Sequence, residues 1–269
     1  MPEPDRRSPH EPAVQYLVVR YAKRGKMRFA SHRDVARAFE RGVRRAGLPI
    51  AYSAGFSPHP KISYAGGAPT GVASEAEYLS LGLTTPQVGT QVCQRLNAVL
   101  PDGIDVIDVT EDLGAVGKPS AGSGKAPSSG FGRLEASEWR VVLPGVGSAA
   151  AEEAVASFLA LGEAPVERLT DKGVRRLDAR AAVIEMNVVT LDGITADPDG
   201  GLRAAMTDCA ILRMVVLHTA PAVRPEDVLT ALRERNGIAA SSPPVTTRLA
   251  QGSQALLAGN ALLTGKSGS

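Results

Sequence analysis

Strand-like and helix-like patterns of apolar residues alternate along the first half of the chain. A β-rich run at 14–21 is followed, from Val35 to Ala46, by apolar residues at every third or fourth position, the spacing of one helix face. Later segments continue this alternation, with strand-like patterns at 61–64, 77–83 and 104–109 and a helix-like pattern at 86–100. The order strand, helix, strand, strand, helix, strand predicts an α+β module of the ferredoxin-like, or split βαβ, type.

Local signals refine the two predicted helices. Ser31 stands three residues before Asp34, the spacing of a capping box that satisfies the free amides at a helix start. The segment 27–30, just before this cap, is predicted to be extended. Gly47 and Pro49 favour the end of the first helix. The second helix is predicted to bury one face, formed by Val88, Val92, Leu96 and Val99.

The second half of the chain contains the same types of element in a less regular order. Strand-like segments lie at 139–143, 166–169, 182–189, 202–206 and 211–217. Helical patterns lie at 148–161 and 224–235, and Pro225 suits the first position of the second of these helices. We interpret this half as a second, degenerate α+β module of similar type, with one strand more than the arrangement requires.

Composition separates these modules. Gly, Ser, Ala and Pro dominate the segment 113–133, and without a periodic apolar pattern such a segment cannot repay the entropy of ordering. We therefore predict a first module at 13–112, a flexible linker at 113–133, a second module at 134–250 and a loose tail at 251–269. A chain of 269 residues is long enough for two domains.

Composition also narrows the class of protein. The sequence has no apolar run long enough to cross a bilayer, and its first residues lack the apolar stretch of a signal peptide, so a cytoplasmic location is expected. Cys93 and Cys209 are too few for a disulfide framework or a cysteine-bound metal. The chain lacks the common nucleotide-binding and nucleophile motifs, so neither a cofactor nor a metal is predicted.

Positive charge is concentrated in one part of the first module. The formal net charge of the chain is only +2, yet ten basic residues and two acidic ones lie between Lys23 and Lys61. Five arginines of the first helix recur at spacings that place them opposite its apolar face, and we call them the arginine stripe: Arg33, Arg37, Arg41, Arg44 and Arg45. Guanidinium groups suit bidentate contacts with phosphate, so the stripe favours a polyanion site, although a solvated helix face fits the same pattern.

Polar and aromatic residues flank the arginine stripe. Ser31 and His32 lie at the start of the helix, where free amides attract anions. A proline-bounded loop after the helix adds further candidate binding residues: Tyr52, Ser53, Phe56, His59 and Lys61. Rings beside cations suit single-stranded nucleic acid, because bases stack on the rings while phosphates meet the cations. Tyr52 and Phe56 fit equally well as anchors that hold the loop to the core.

Two other functions fit the same residues. His32, Asp34 and His59 would suit an enzyme that acts on a nucleotide or another phosphorylated substrate, if they converge in one pocket. The arginine stripe would also suit a protein–protein adaptor that docks on an acidic partner. Glu75 and Glu77 alternate with apolar residues and are expected on the solvent face of a strand. A basic, hairpin-like stretch at 172–180 either extends the basic surface or is a solvated turn.

The segment from Arg28 to Leu83 carries three motifs: SHRD, RRAGLPIAYSAGFSPHPK and GVASEAEY. In these motifs the chain resembles a bacterial family known as the radical-SAM-linked domain. A weaker resemblance continues through RRLDARAAV and VRPEDVL. The chain differs from the family pattern at 68–70, where a Pro-Leu-rich piece is commoner.

This resemblance implies a biological setting. Family members are fused to, or encoded beside, a radical-SAM enzyme with a cobalamin-binding-type domain, often near ribosomal-protein and ribonuclease genes. The resemblance therefore implies an accessory or substrate-recruiting role in RNA-linked or ribosome-linked modification. The implied partners are tRNA or rRNA and a separate radical-SAM enzyme, and no catalytic residue is implied.

Overall fold

Strands and helices alternate in both halves of the computed structural model, which describes residues 11–54, 56–112, 134–171, 173–189, 209–255 and 257. The chain divides into two compact units, residues 1–132 and residues 133–269. Both units combine antiparallel strands with helices, so the α+β class is confirmed. The predicted linker and the strand-like segment 202–206 lie outside the described residues. None of the described helices is long and apolar enough to span a bilayer.

The first unit has the predicted order of elements. These are β1 (Gln15–Lys23), α1 (His32–Arg45), β2 (Ile62–Tyr64), β3 (Ala73–Leu83), α2 (Gly89–Asn97) and β4 (Ile104–Glu111). The strands lie in the order β4-β1-β3-β2, and each neighbouring pair is antiparallel. Since β1 and β3 have a neighbour on each side, they form the centre of this four-stranded arrangement.

The apolar face of α1 packs in the core of the first unit. Val35, Phe39 and Val43 are buried, as the helical spacing predicted. The ring of Phe39 meets the ring of Tyr21 on β1 edge to face, with 4.7 Å between the centroids. Aromatic pairs of this geometry add to the free energy gained from burial. The buried face of α1 therefore fixes which side of the helix is left to solvent.

Two local predictions in the first unit are wrong. The segment predicted to be extended before α1 is a short 3-10 helix, Gly25–Phe29, in which the amides of Met27 and Ala30 donate to carbonyls three residues earlier. Val88 does not belong to the buried face of α2. It precedes the helix, in extended backbone, and its side chain is exposed. In both places a helix begins or ends at a position where the residue types give no signal of the boundary.

The second unit has the same order of elements, with a two-stranded hairpin and a short helix added after its first helix. Its elements are β5 (Ala136–Pro144), α3 (Ser148–Leu159), β6 (Pro165–Thr170), β7 (Gly173–Asp178), α4 (Ala179–Ala182), β8 (Val183–Val189), β9 (Cys209–Leu217), α5 (Pro225–Asn236) and β10 (Val245–Gly252). The strands β10-β5-β9-β8 lie side by side and antiparallel. Strands β6 and β7 pair only with each other, as a hairpin inserted after α3. The predicted strand at 166–169 is the first strand of this hairpin, whereas the sequence pattern did not predict β10 as a strand.

Candidate functional site

All members of the arginine stripe are exposed on the outer face of α1. Ion pairs among the described residues include those of Arg24, Arg168 and Arg213, and no stripe member forms one with a described residue. Arginines four positions apart on a helix repel one another. Together with the Ser31 hydroxyl, the charges of Arg37 and Arg33 help to lower the pKa of the nearby Asp34 carboxylate. No stripe member, however, forms an ion pair with the described residues, and all five side chains stay exposed to solvent.

The predicted capping box at the start of α1 is confirmed. The Asp34 amide donates to Ser31 Oγ at 3.3 Å, and the Ser31 amide donates to Asp34 Oδ2 at 3.2 Å. The Ser31 hydroxyl also donates to Asp34 Oδ2 at 2.6 Å, and this bond is the main reason why the pKa of Asp34 lies below its usual range. The carboxylate of Asp34 therefore serves the helix cap and is a poor general base.

Two basic residues near the end of β1 bond to other parts of the first unit and do not add to the exposed basic surface. The side chain of Lys23 is buried, and its ammonium group donates to the carbonyls of Ala68 and Pro69 at 3.2 and 3.4 Å. Arg24 is paired with the carboxylates of Glu75 and Asp105. Its hydrogen bonds to Glu75 are the main reason why the pKa of Arg24 is raised. The exposed basic surface is thus narrower than the charge count indicated.

The expectation that Glu75 and Glu77 mark a solvent face is wrong. Glu75 lies against Arg24, and Glu77 is buried, with both carboxylate oxygens accepting from the Ala68 amide at 3.2–3.3 Å. No residue of β3 is exposed, because this strand lies inside the sheet. An alternating pattern predicts a solvated face only for a strand with one open side.

Hydrogen bonds hold the two arms of the loop after α1 together. The Ser53 amide donates to the carbonyl of His59 at 2.8 Å, and the His59 amide donates to Ser53 Oγ at 3.0 Å. The Lys61 amide donates to the carbonyl of Ala51 at 2.7 Å, which continues the pairing toward β2. Because both arms are tied, the tip of the loop is held away from the core.

The two aromatic residues of this loop have different roles. Tyr52 packs against the core of the first unit, so it is an anchor. Phe56 is fully exposed at the tip, and its predicted alternative role as an anchor is wrong. An exposed phenyl ring on a tied loop offers a face for stacking. Gly55 lies outside the described residues.

The contacts of His32, Asp34 and His59 among the described residues go to different partners, and no hydrogen bond joins these three side chains to one another. The ring of His32 meets Tyr64 of β2 edge to face, with 5.1 Å between centroids, while the hydrogen bonds of His59 are made by its backbone. Tyr64 also donates to the carbonyl of Ala36 at 3.5 Å, and burial raises its pKa. The described residues contain no group of three His, Cys, Asp or Glu side chains that could hold a metal ion.

Arg95 of α2 is a structural arginine that the sequence patterns did not indicate. Its guanidinium group donates to the carbonyls of Ala46 and Gly47, where α1 ends, and to Gln87 Oε1 at 3.3 Å. A cation at this end of a helix is favourable because the last carbonyls have no partners within the helix. Arg95 belongs to α2 but caps the end of α1. The spacing of residues within one helix therefore does not reveal this role.

The basic hairpin-like stretch is partly confirmed as the second strand of the β6–β7 hairpin. Arg175 and Arg176 are exposed on this hairpin, but the guanidinium group of Arg180 donates to the carbonyls of Leu159 and Val183 at 3.2 and 3.0 Å. Arg168 ties the hairpin to α5 through Asp227 at 2.7 Å. The stretch therefore contributes two exposed arginines from its described residues.

A serine–histidine pair in the second unit also escaped the sequence patterns. Ser137 Oγ lies 2.7 Å from His218 Nε2, and His218 Nδ1 lies 2.9 Å from the carbonyl of Leu134. Such a pair is used in nucleophilic catalysis, but Ser137 is only 1% exposed and a substrate cannot reach it. The pair joins β5 to the end of β9 and is structural. Burial lowers the pKa of His218.

The lowered pKa of His218 predicts a dependence of stability on pH. The unfolded chain binds a proton at this histidine below about pH 6.5, whereas the folded chain resists it, so stability falls as the pH drops from about 6.5 to the lowered value. We expect His218→Gln to flatten this part of the profile, measured as Tm between about pH 7.5 and about pH 5.5. An unchanged profile in the variant would show that His218 is not responsible.

Comparison with known protein families places the chain in one of them. The model of a family described as an uncharacterized protein conserved in bacteria, DUF2344, matches residues 16–225. The match runs from the second residue of β1 to the first residue of α5. No curated protein matches the chain.

Proposed function

Because the chain belongs to DUF2344, a bacterial family whose description gives no activity, we propose a function from its own residues: the first unit binds RNA, and the protein presents this RNA to a separate radical-SAM enzyme. The observation that carries the proposal is the exposed arginine stripe, none of whose five members forms an ion pair with the described residues. The link to a radical-SAM enzyme rests on the motif resemblance alone. This role requires a cytoplasmic location.

The arginine stripe matches an extended anion better than a small one. From Arg33 to Arg45 the helix rises by about 18 Å, at 1.5 Å per residue. A single phosphate would neutralise only part of such a row, whereas the backbone of a nucleic acid offers charges along its whole length. Arginine suits these contacts because its planar group donates two parallel hydrogen bonds to phosphate.

The loop tip adds a feature that suits unpaired bases. Phe56 is exposed and its loop is held by hydrogen bonds at Ser53 and His59, so stacking costs little ordering of the protein. Stacking of a base on an aromatic ring contributes about 1–3 kcal/mol. Rings beside cations favour single-stranded RNA over a regular duplex, whose bases are already stacked.

One observation favours the adaptor as a second candidate function. A groove of about 310 Å³ lies between α1 and the segment 98–101, with Arg41 and Arg45 beside apolar residues. An acidic partner segment with apolar side chains would match this combination of charge and shape. RNA has fewer apolar groups that could occupy this groove than a protein segment has. The RNA-binding function and the adaptor function therefore predict different occupants of the groove.

The salt dependence of binding tests the proposal. If all five stripe arginines contact phosphates, the logarithm of the binding constant for single-stranded RNA falls with the logarithm of salt concentration with a slope of about −3.5, at about −0.7 per contact. We expect Arg37→Gln to weaken binding equally for all sequences and to reduce the slope by about 0.7. Fluorescence anisotropy with labelled oligonucleotides over a salt series measures both quantities.

Arg235→Gln provides a matched control for this experiment. Arg235 is also an exposed arginine on a helix, but it lies on α5 of the second unit. We expect this variant to bind RNA with the affinity and the slope of the natural chain. A slope near zero, or the same slope in both variants, would contradict the proposal. If the chain instead forms a complex with an acidic protein in the absence of RNA, and Arg41→Gln lowers the affinity of that complex, the adaptor function is favoured.

A further inference from the structure

A small cavity lies at the start of α1, beside the segment 65–72. Its volume is about 110 Å³, and it is lined by residues of β1, α1, β3 and this segment: Tyr21, Lys23, His32, Gly67, Ala68 and Glu77. At about 30 Å³ per water in the liquid, the cavity has room for three or four water molecules. The patterns in the sequence did not bring these residues together.

Two ionisable groups in its wall are almost completely buried. Lys23 is 4% exposed and Glu77 is 3% exposed. Lysine and glutamate are rarely buried, because removing a charge from water costs several kcal/mol unless it is well partnered. Both side chains bond to the same residue, since Lys23 donates to the carbonyl of Ala68 and Glu77 accepts from its amide. The cavity therefore has a polar wall that the backbone holds in place.

Gly67 leaves an opening between two of the polar groups. A Cβ atom at this position would lie 3.5 Å from Glu77 Oε2 and 3.8 Å from His32 Nδ1. An atom of a ligand in the same place would contact both the carboxylate and the imidazole. Gly67 is exposed and its φ is not positive, so its backbone conformation does not require glycine. The missing side chain thus keeps a solvent-facing space open.

We infer that this cavity takes the amino-bearing edge of an unpaired nucleobase, an inference that rests on the proposed RNA-binding function. A carboxylate only accepts hydrogen bonds, and acidic side chains accept from the exocyclic amine of cytosine in nucleic-acid recognition. Uracil presents a carbonyl in the same position, which would face Glu77 as a second acceptor. The site therefore selects amino-bearing bases over uracil.

The position of the cavity supports this ligand. The cavity lies at the first turn of α1, and the arginine stripe begins on the same turn with Arg33. A phosphate on the stripe would bring the attached base within reach of His32 and Glu77. Sequence-specific recognition of RNA uses bases that are turned out of the stack and bonded at their edges.

Two neighbouring glycines give a matched test. Gly67→Ala places a methyl group in the opening at ordinary contact distances, whereas a Cβ at Gly66 meets nothing within 4 Å. The probes are labelled oligocytidine and oligouridine of equal length, with the full chain at one salt concentration. We expect the natural chain and Gly66→Ala to bind oligocytidine about tenfold more tightly than oligouridine. We expect Gly67→Ala to bind both at the oligouridine level.

The other outcomes separate this inference from the proposed function. Equal binding of the two oligonucleotides by the natural chain, with the salt slope intact, would overturn the inference and leave the proposed function standing. A preference for oligocytidine that survives in Gly67→Ala would also overturn it, because the opening would then not hold the base. Binding of neither oligonucleotide would overturn the proposed function and the inference with it. Equal far-UV circular dichroism and equal Tm of the two variants show that both are folded.

Discussion

Replacement of Arg37, Arg41 and Arg44 by glutamate is expected to lower the affinity of the chain for single-stranded RNA by at least about 100-fold at low salt. Each substitution removes a phosphate contact and places a negative charge where the RNA backbone would lie. Charge-assisted hydrogen bonds contribute more than neutral ones, so three losses on one helix face combine to a large effect. Fluorescence anisotropy with a labelled oligouridine measures the change.

The fold is expected to survive this triple reversal. All three side chains are exposed, and in the variant the new carboxylates at positions 37 and 41 each lie four residues from a remaining arginine, Arg33 and Arg45 respectively. Each such pair of opposite charges stabilises a helix by about 0.2–0.5 kcal/mol, and the like-charge pairs between positions 37 and 41 and between Glu40 and position 44 cost similar amounts. The net change is therefore small beside the free energy of unfolding of a domain, about 5–15 kcal/mol. A triple lysine variant keeps the charge and is expected to bind within about tenfold of the natural chain. RNA binding by the folded glutamate variant at the natural affinity would refute the proposed function.

Substitution Phe39→Ala is expected to have the largest effect on stability. Phe39 is fully buried on α1 and packs edge to face on Tyr21. Removing a buried phenyl ring costs about 3–5 kcal/mol, because apolar contacts are lost and the cavity closes only in part. The whole free energy of unfolding of a domain is about 5–15 kcal/mol. We therefore expect α1 to detach from the sheet at a low denaturant concentration, and RNA binding to be lost at the same concentration.

Phe56→Ala is the matched control for this substitution. It makes the same chemical change at a fully exposed phenylalanine, so the stability is expected to stay within about 0.5 kcal/mol of the natural chain. Urea unfolding followed by far-UV circular dichroism compares the two variants. Equal midpoints for Phe39→Ala and Phe56→Ala would show that the packing of α1 on β1 does not hold the first unit together.

Local patterns were sufficient for α1. The capping box of Ser31 and Asp34 and the spacing of Val35, Phe39 and Val43 involve residues within one or two turns of each other, and the structure contains all of them as predicted. The exposure of the arginine stripe follows from the same periodicity, because the face opposite a buried face is left to solvent. The order of strands and helices in the first unit could be predicted for a related reason, since each element has its own period.

Contacts between distant segments could not be predicted in this way. Glu77 was expected in solvent, but it lies opposite Tyr21 in the pairing of β1 with β3, and its carboxylate is bonded to Ala68. Which residues face each other depends on strand register, and β1 shifts register between Tyr21 and Lys23. A shift of one residue moves a side chain to the other face of the sheet.

The arginine stripe was determined by the sequence itself, because helical periodicity and charge are properties of neighbouring residues. Tertiary structure decided which basic residues remain available. Lys23 and Arg24 are bonded to other parts of the first unit, whereas Phe56 is presented to solvent. Tertiary structure also places Glu77 and His32 close to Gly67. The reason is physical: burial and pairing depend on which distant segments meet, and the pattern along one segment does not specify its partner.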